Sequence, residues 1–348
     1  MKILITGNLG YVGSELVKLL RKTYPDAELL GFDIGYFAKH ITNKDTAPEM
    51  LLNAQYYGDV RQFPEKLLEG VDAVVQLAAI SNDPIGNKFE KVTLDVNYEA
   101  VIDIAKKAKK MGVRKVVFAS SCSVYGFAEA DARTEESSVN PLTAYARSKV
   151  FAERDLAPLA DDKFMVTCLR FATACGMSDR LRLDLVLNDF VAGAVASGEI
   201  NIMSDGSPWR PLINVRDMGR ALIWGIERKA SNGGNYLVIN TGSNAWNYQV
   251  KELAHAIHGI LPETRVSINK DAQPDKRSYK VSFDKFEKMA AGYLPVYDLR
   301  QSIKDLVTGL NSIGFSDQNY RQSQLIRLFV VNELLEGKII DQNLALAK

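Results

Sequence analysis

Through its first 170 residues the chain alternates between short apolar runs and longer stretches whose apolar residues recur every three or four positions. Lys2-Ile-Leu-Ile-Thr6 reads as a buried strand. A glycine turn, Gly7-Asn-Leu-Gly-Tyr-Val-Gly13, follows it, and Ser14 to Arg21 then carries Leu16, Val17, Leu19 and Leu20 at helical spacing. Glu28-Leu-Leu-Gly-Phe-Asp33 is a second strand. Val71 to Ala79 is another, running into an expected loop over Ile80 to Gly86. Helical periodicity resumes through Val96, Ala100, Val101, Ile104, Ala105 and Ala108, with Lys106, Lys107, Lys109 and Lys110 on the solvated face. Lys115 to Ser120 and Met165 to Phe171 are further strands, separated by a helix from Pro141 onward through Leu156. Strands alternating with helices predict an α/β fold with a parallel, doubly wound sheet of Rossmann type. Ligands on such sheets sit beyond the carboxyl ends of the strands.

After Gly176 the alternation loosens. Strands are expected at 199–203, 235–240 and 265–269, with helices at 217–228 and 248–260, which predicts a smaller α+β lobe. Leu325, Leu328, Phe329, Val331, Leu334 and Leu335 then recur at helical spacing, in a terminal helix expected to dock on the body or on a partner subunit.

Two features carry chemistry. The first is the strand–glycine turn–helix unit at the N-terminus. Glycines let a backbone approach a pyrophosphate closely, and a helix N-terminus offers unpaired N–H groups and a positive dipole end. Asp33 ends the next strand, twenty residues beyond Gly13. An acid there accepts hydrogen bonds from the ribose hydroxyls of NAD and repels the 2′-phosphate of NADP. The second feature is Tyr145 and Lys149, four apart and so on one helix face. A free tyrosine, with a pKa near ~10, is a weak base at neutral pH. An adjacent ammonium is expected to favour the phenolate and suit the pair to moving a hydroxyl proton. Chance supplies about one such pair in a chain this size, so the glycine turn and Asp33 give the spacing its meaning.

Composition narrows the field. Of 348 residues 47% are apolar and 24% charged, with a net charge of +1. That balance gives no electrostatic reason for a nucleic-acid partner or an anionic membrane. No apolar run reaches ~18 residues. Cys122, Cys168 and Cys175 are sparse and odd in number, and His40, His255 and His258 are not clustered with them. Neither a disulfide framework nor a metal site is expected. MKILITG lacks the pattern of a signal peptide, so a cytoplasmic location is expected.

GNLGYVG at 7–13, Asp33, Gly58-Asp-Val60, Leu77-Ala-Ala79, Asn97, SSCSVYG at 120–126 and Tyr145-x-x-x-Lys149 occur in one order. Together they resemble the extended short-chain dehydrogenase/reductases, in the NAD-dependent epimerase/dehydratase branch that acts on nucleotide sugars. The stretches LRFATACGMSDRLRLDLVLNDF and PDKRSYKVS look like those of nucleotide-sugar 4-epimerases and 4-dehydrogenases, including those acting on GDP-heptose. The resemblance implies an NAD-binding Rossmann domain over 1–173, to which elements near 211–241 return. It implies a nucleotide-sugar lobe over 174–310 and a helical extension over 311–348. It implies that Gly7, Gly10 and Gly13 hold the pyrophosphate of NAD, with Asn8, Leu9, Tyr11 and Val12 also at the cofactor, that Asp33 holds the adenosine ribose, and that Lys149, beside Tyr145, holds the nicotinamide ribose. Asp59 and Val60 would flank adenine, and Leu77, Ala78, Ala79, Asn97, Ser120 and Phe171 would complete the dinucleotide path. Ser121, Tyr145 and Lys149 would be catalytic. Ser81, Cys122, Ser123, Thr173, Arg180, Arg182, Asn188, Arg210 and Arg277 would meet the substrate. A homodimer is implied, through helices beginning near Asn97 and Tyr145. One departure bears on the reaction: 4,6-dehydratases of this branch carry Asp-Glu where this chain has Cys122-Ser123, so 4,6-dehydration is not expected. Transient oxidation at C4 of a hexose, giving epimerisation, is the expected activity. The same residues would equally serve a 4-dehydrogenase or 4-ketoreductase, and a non-catalytic NAD-binding regulator is the alternative of another class.

Overall fold

The computed structural model describes every residue except 44, 46, 82, 129, 130, 270, 271, 273–277 and 348. Its first half runs β1 (Lys2–Thr6), α1 (Tyr11–Thr23), β2 (Glu28–Asp33), β3 (Ala54–Tyr57), β4 (Ala73–Gln76), α2 (Asp83–Lys88), α3 (Glu90–Leu94), α4 (Ala100–Lys110), β5 (Lys115–Ser121), α5 (Ala144–Leu156) and β6 (Met165–Phe171). The second half adds β7 (Thr173–Cys175), α6 (Val186–Ser197), β8 (Glu199–Ile202), β9 (Trp209–Asn214), α7 (Val215–Glu227), β10 (Tyr236–Thr241), β11 (Asn247–Gln249), α8 (Val250–His258), β12 (Arg265–Ile268), α9 (Asp284–Met289), α10 (Leu299–Ser312) and α11 (Arg327–Glu336).

Seven strands form one sheet in the order β10-β6-β5-β4-β1-β2-β3. All its pairings are parallel. Parallel sheets need helices on both faces, and their strands therefore read as unbroken apolar runs. Successive side chains of β1 divide between the faces: Ile3 and Ile5 pack with Leu16, Leu20 and Leu222 from α1 and α7. Leu4 joins Val74, Val116 and Phe118 against Ala105 of α4 and Leu156 of α5 on the other face. The strand order reverses between β1 and β4, where Ile3 is level with Leu29 on one side and Ala73 on the other. That reversal opens a crevice at the carboxyl edge of the sheet.

The second lobe has its own core, in which Leu187 and Val191 of α6 meet Leu253 and Ile257 of α8 and Ile303 and Leu306 of α10. Two small sheets, β11-β9-β7 and β12-β8, lie beside it. Only Ala172 separates β7 from β6, so this lobe starts directly off the main sheet.

Two local features differ from the sequence reading. The expected loop 80–86 contains the start of α2, with Pro84 in its first turn, where a missing N–H has no helical acceptor to lose. The helix expected from Val96 begins as a π-turn, Asp95–Glu99, before α4 proper. The wider turn carries Asn97, fully buried, into two hydrogen bonds with the backbone of Ile80, at 2.8 and 2.9 Å.

A buried ion pair ties α5 to the sheet. Arg170 donates from Nε to Glu153 Oε1 at 2.9 Å and from Nη2 to Oε2 at 2.7 Å. Ser120 also donates to Glu153, and Arg170 Nη1 donates to Tyr125 Oη at 3.0 Å. Glu153→Ala leaves the Arg170 guanidinium buried without a counter-charge, and the expected cost is about 3–5 kcal/mol. Urea denaturation checks this; a loss below about 1 kcal/mol would mean that water replaces the carboxylate.

Candidate active site

A cleft of ≈ 1130 Å³ lies along the carboxyl edge of the sheet. Ordinary small-molecule pockets enclose about 300–1,000 Å³, so this one has room for a dinucleotide and a second ligand. It is lined by the glycine turn, Asp33, Asp59, Val60, Leu77, Ala78, Ala79, Ser81, Ser120, Ser121, Ser123, Tyr145, Lys149, Phe171, Thr173, Arg182 and Arg210.

One half has the geometry of a dinucleotide cradle. Gly7 has φ +76°, and a Cβ there would lie 2.5 Å from the Ala78 nitrogen. A Cβ on Gly13 would come within 2.5 Å of Asn8 Cα. Helix α1 begins after Gly10, so the first-turn amides of Tyr11, Val12 and Gly13 have no carbonyl one turn back to bond. These amides and the positive helix end make an anion site. Asp33 accepts from the Leu9 amide at 3.1 Å through one oxygen and from the Gly35 amide at 2.7 Å through the other. Burial raises its pKa, and those two amides pull it back. Each carboxylate oxygen keeps lone-pair capacity for a ribose hydroxyl. Asp59 and Val60 sit beyond it, Asp59 paired with Arg61. These residues fit NAD.

The other half gathers Ser121, at the end of β5, with Tyr145 and Lys149 on the first two turns of α5. Thr143 caps that helix, accepting from the Ala146 amide at 3.2 Å. Lys149 Nζ donates to the Ala119 carbonyl at 2.7 Å and lies 5.4 Å from the centre of the Tyr145 ring. The expected lowering of the Tyr145 pKa by Lys149 is not what the geometry produces. Burial pushes Tyr145 up to about 12, while the Ser121 hydrogen bond and, more weakly, Arg182 pull it down and Asp83 pushes it up. Lys149 itself is pushed down to about 7 by burial, against the pull of Glu153. The cause is desolvation, which disfavours both charged forms and here outweighs the pull of Ser121 and Arg182 on the tyrosine and of Glu153 on the lysine.

Several residues proposed from sequence do not line the cleft. Cys122 is fully buried, its thiol on the Arg170 carbonyl at 3.0 Å and its pKa raised by burial, so it cannot meet a substrate here. Arg180 is also fully buried and pairs with Glu49 at 2.8 Å, away from the substrate end. Asn188 accepts from the Gly176 amide at 2.9 Å and donates to the Arg182 carbonyl at 2.9 Å, which shapes the chain from 176 to 182. Asn97 anchors Ile80, as described, and Asn8 is spent on Gln55. Leu9 is buried and contributes its amide to Asp33. Arg277 lies outside the described residues.

The structure adds residues that the sequence reading passed over. Tyr279, buried against Tyr125, and Asp83 line the cleft near Tyr145. Arg182 donates to Ser81 at 2.9 Å and to Asp184 at 2.9 Å, so Asp184 holds it in place. Tyr36, Phe37, Arg61, Arg327 and Leu344 line the end of the cleft by Asp33 and Asp59. Among the described residues no cluster of His, Cys, Asp and Glu could hold a metal ion, and no helix is long and apolar enough to cross a membrane.

The strand order and the glycine-turn cradle define a Rossmann-type dinucleotide-binding protein. The chain belongs to the NAD dependent epimerase/dehydratase family, whose sequence profile matches residues 3–242. The UDP-glucose 4-epimerase of Lactobacillus helveticus is 26% identical over 286 residues, covering 76% of this chain and 84% of that one. UDP-glucuronic acid decarboxylase 6 of Arabidopsis thaliana is 24% identical over 311 residues, covering 87% of each. The solved structure of MoeE5 in complex with UDP-glucose and NAD superposes with a TM-score of 0.74 at 22% identity, covering 90% of this chain and 99% of that one.

The Lys149 shift makes a test of the site's electrostatics. Below about pH 7 Lys149 is charged in both the folded and the unfolded chain, and the folded chain bears the full cost of a buried ammonium. Between there and its ordinary value of 10.5 the folded chain has shed a proton that the unfolded chain keeps, so the cost fades as pH rises. Lys149→Met is therefore expected to raise the Tm of NAD-free protein most at about pH 6, with a gain that shrinks toward pH 10. Thermal unfolding across that range checks it; a gain that grows with pH contradicts the burial account.

Proposed function

We propose that this protein is an NAD-dependent nucleotide-sugar epimerase that works through transient oxidation at C4 of the hexose. The observation that carries the reading is the meeting of Ser121, Tyr145 and Lys149 on one wall of the cleft that holds the dinucleotide cradle. Membership of the family and the likeness to a UDP-glucose 4-epimerase support it.

NAD, when bound, supplies the acceptor and donor of hydride. The chain's own residues handle the proton and the sugar. To act as the base, the Tyr145 phenol, pushed up to about 12 by burial, first gives up its own proton, to Lys149 or to solvent, as bound ligands would favour; its Oη then takes the proton of the C4 hydroxyl as that carbon becomes a ketone, and gives it back when the opposite face is reduced. Ser121 Oγ holds the same sugar oxygen and stabilises the tyrosinate. Lys149, poised near 7, can hold or pass a proton at neutral pH behind the tyrosine ring. Arg210 suits the substrate diphosphate, since a guanidinium matches phosphate geometry. Thr173, Ser81 and Ser123 offer hydroxyls to the sugar from the same cleft. Cys122 and Ser123 carry no carboxyl, and Cys122 lies outside the cleft, so neither supplies the acid that eliminating water requires. We include in the proposal a homodimer formed through α4 and α5, for which the mass in solution is the measure.

The purified chain, incubated with UDP-, GDP-, CDP- and dTDP-hexoses, is expected to convert at least one to its C4 epimer by NMR without net NADH formation. Stoichiometric NADH release would make it a 4-dehydrogenase instead, and failure of every nucleotide sugar to bind or react would end the enzyme reading. Tyr145→Phe is expected to lower kcat by about 10²–10⁴ while NAD stays bound. Ser121→Ala should fall in the lower part of that range, and full activity in Tyr145→Phe would remove it as the base.

A further inference from the structure

Beyond α10 the chain crosses the cleft from one lobe to the other. Arg321 lines it in the second lobe, Ile326 and Val331 line it farther on, and Leu344 lines the end by Asp59. The near end of this segment is held by charge. Arg321 donates to both carboxylate oxygens of Asp189 on α6 at 2.9 Å, and Tyr320 donates to Asp189 Oδ1 at 2.8 Å. The Leu183 amide donates to the Leu325 carbonyl at 2.9 Å. The far end rests on the sheet lobe. Val331, Ile340 and Leu344 pack against Ile85, Phe89 and Val92, on and between α2 and α3. Lys88 donates to Asn332 at 3.0 Å, Arg61 donates to the Asn343 carbonyl at 2.8 Å, and Tyr36 donates to the Leu344 carbonyl.

The two ends are unequal. At the near end Tyr320 belongs to the second-lobe core, with Leu187 and Val191. The far end shares a cluster of only six buried apolar residues, separate from the three larger cores. Few buried apolar contacts mean a low free energy of local opening. Leu344 adds strain there, since its φ of +50° is unfavourable for a branched side chain and is held only by packing. The far end is therefore the one that comes away first. The dinucleotide cradle, from the glycine turn to Asp59, lines the same cleft, so a cofactor in it has this segment as a wall.

We propose that residues 320–347 form a strap across the cleft: its far end lifts from α2 and α3 to admit NAD and, once closed, keeps NAD in place through many turnovers. The inference rests on NAD binding in this cleft and not on the chemistry at the sugar, although retention suits a reaction in which the hydride returns to the sugar before the cofactor leaves. The full-length chain is loaded with radiolabelled NAD, mixed with excess unlabelled NAD, and sampled by rapid filtration for label still bound. Ile340 is 2% exposed, packs in the far-end cluster and does not line the cleft. Ile340→Asp is expected to speed release by about tenfold or more while equilibrium affinity changes less, because a looser strap speeds entry as well. In a second arm Lys88→Cys and Asn332→Cys are introduced together and, after loading, joined by a bismaleimide with a reducible centre; the three native cysteines are buried. The joined form is expected to release NAD about tenfold more slowly, and reducing the linker to restore the rate. Release within about twofold of the native rate in either form overturns the proposal, as does a chain that binds no NAD. A loss of affinity in Ile340→Asp as large as its gain in release rate, with entry unchanged, marks damage to the cleft and also overturns it. If Ile340→Asp does not fold, the joined form decides alone. Strap-dependent retention in a chain that epimerises no nucleotide sugar would sink the proposed function and leave this inference standing; epimerisation with release indifferent to the strap does the reverse.

Discussion

The Glu153–Arg170 pair fixes where the reactive groups can be. Tyr145, Lys149 and Glu153 are spaced by four along α5 and therefore share the face turned to the sheet. Glu153 is the end of that line that cannot move: both its oxygens are held by a guanidinium on β6, and it also takes the hydroxyl of Ser120 on β5. Two strands and a helix are thus pinned at one buried point. Ser121 follows Ser120, so the same pin sets the strand end that faces the tyrosine. Arg170 continues the chain of contacts through Tyr125 to Asn240 on β10. The proton-moving groups are ordered by a network in which most polar atoms have partners, the condition under which buried polarity rigidifies.

The cleft itself is left electrically unfinished. Tyr145 and Lys149 are both pushed toward neutrality by burial, while Arg327 keeps an unmet donor. Anionic ligands would change that balance more than any rearrangement of the chain. A diphosphate at the start of α1 satisfies first-turn amides that have no helical acceptor, and a filled cleft keeps the surroundings of Ser121 dry. Charges arranged before the ligand arrives cost no reorganisation when it does.

The sheet was legible in the sequence because parallel strands announce themselves as unbroken apolar runs. The expected 165–171 strand matches β6, and the glycine turn and Asp33 stand at the ends of β1 and β2. Ser121, Tyr145 and Lys149 meet in the cleft because each lies at a strand end or on the helix face that register dictates. Cys122 was misplaced for the same kind of reason: it neighbours Ser121, but where β5 gives way to a tight turn its side chain goes into the core. Asn97 and Asn188 are polar residues spent on holding backbone, a role that spacing does not distinguish from ligand binding. Arg327, Leu344 and Tyr279 reach the cleft from far along the chain, so no local pattern could mark them. The Tyr145 pKa could not be read from its neighbour either, since burial is a property of the whole packed site.

The passage from β6 to β7 through Ala172 alone has a bearing on how the molecule comes apart. The chain leaves the main sheet there, builds part of the second lobe, and returns with α7 and β10 to cover one face and extend the edge. Neither lobe is a continuous length of polypeptide. Cutting the chain near residue 173 would strip the sheet of its last strand and bare Val117, Leu169 and Leu16, which α7 now covers. The two lobes are therefore one cooperative unit, and unfolding should proceed in a single transition. Among the described residues the crossings between the lobes at Ala172 and at Asn214–Val215 leave no slack for a swing, so opening of the cleft is drawn from its loops and its C-terminal wall.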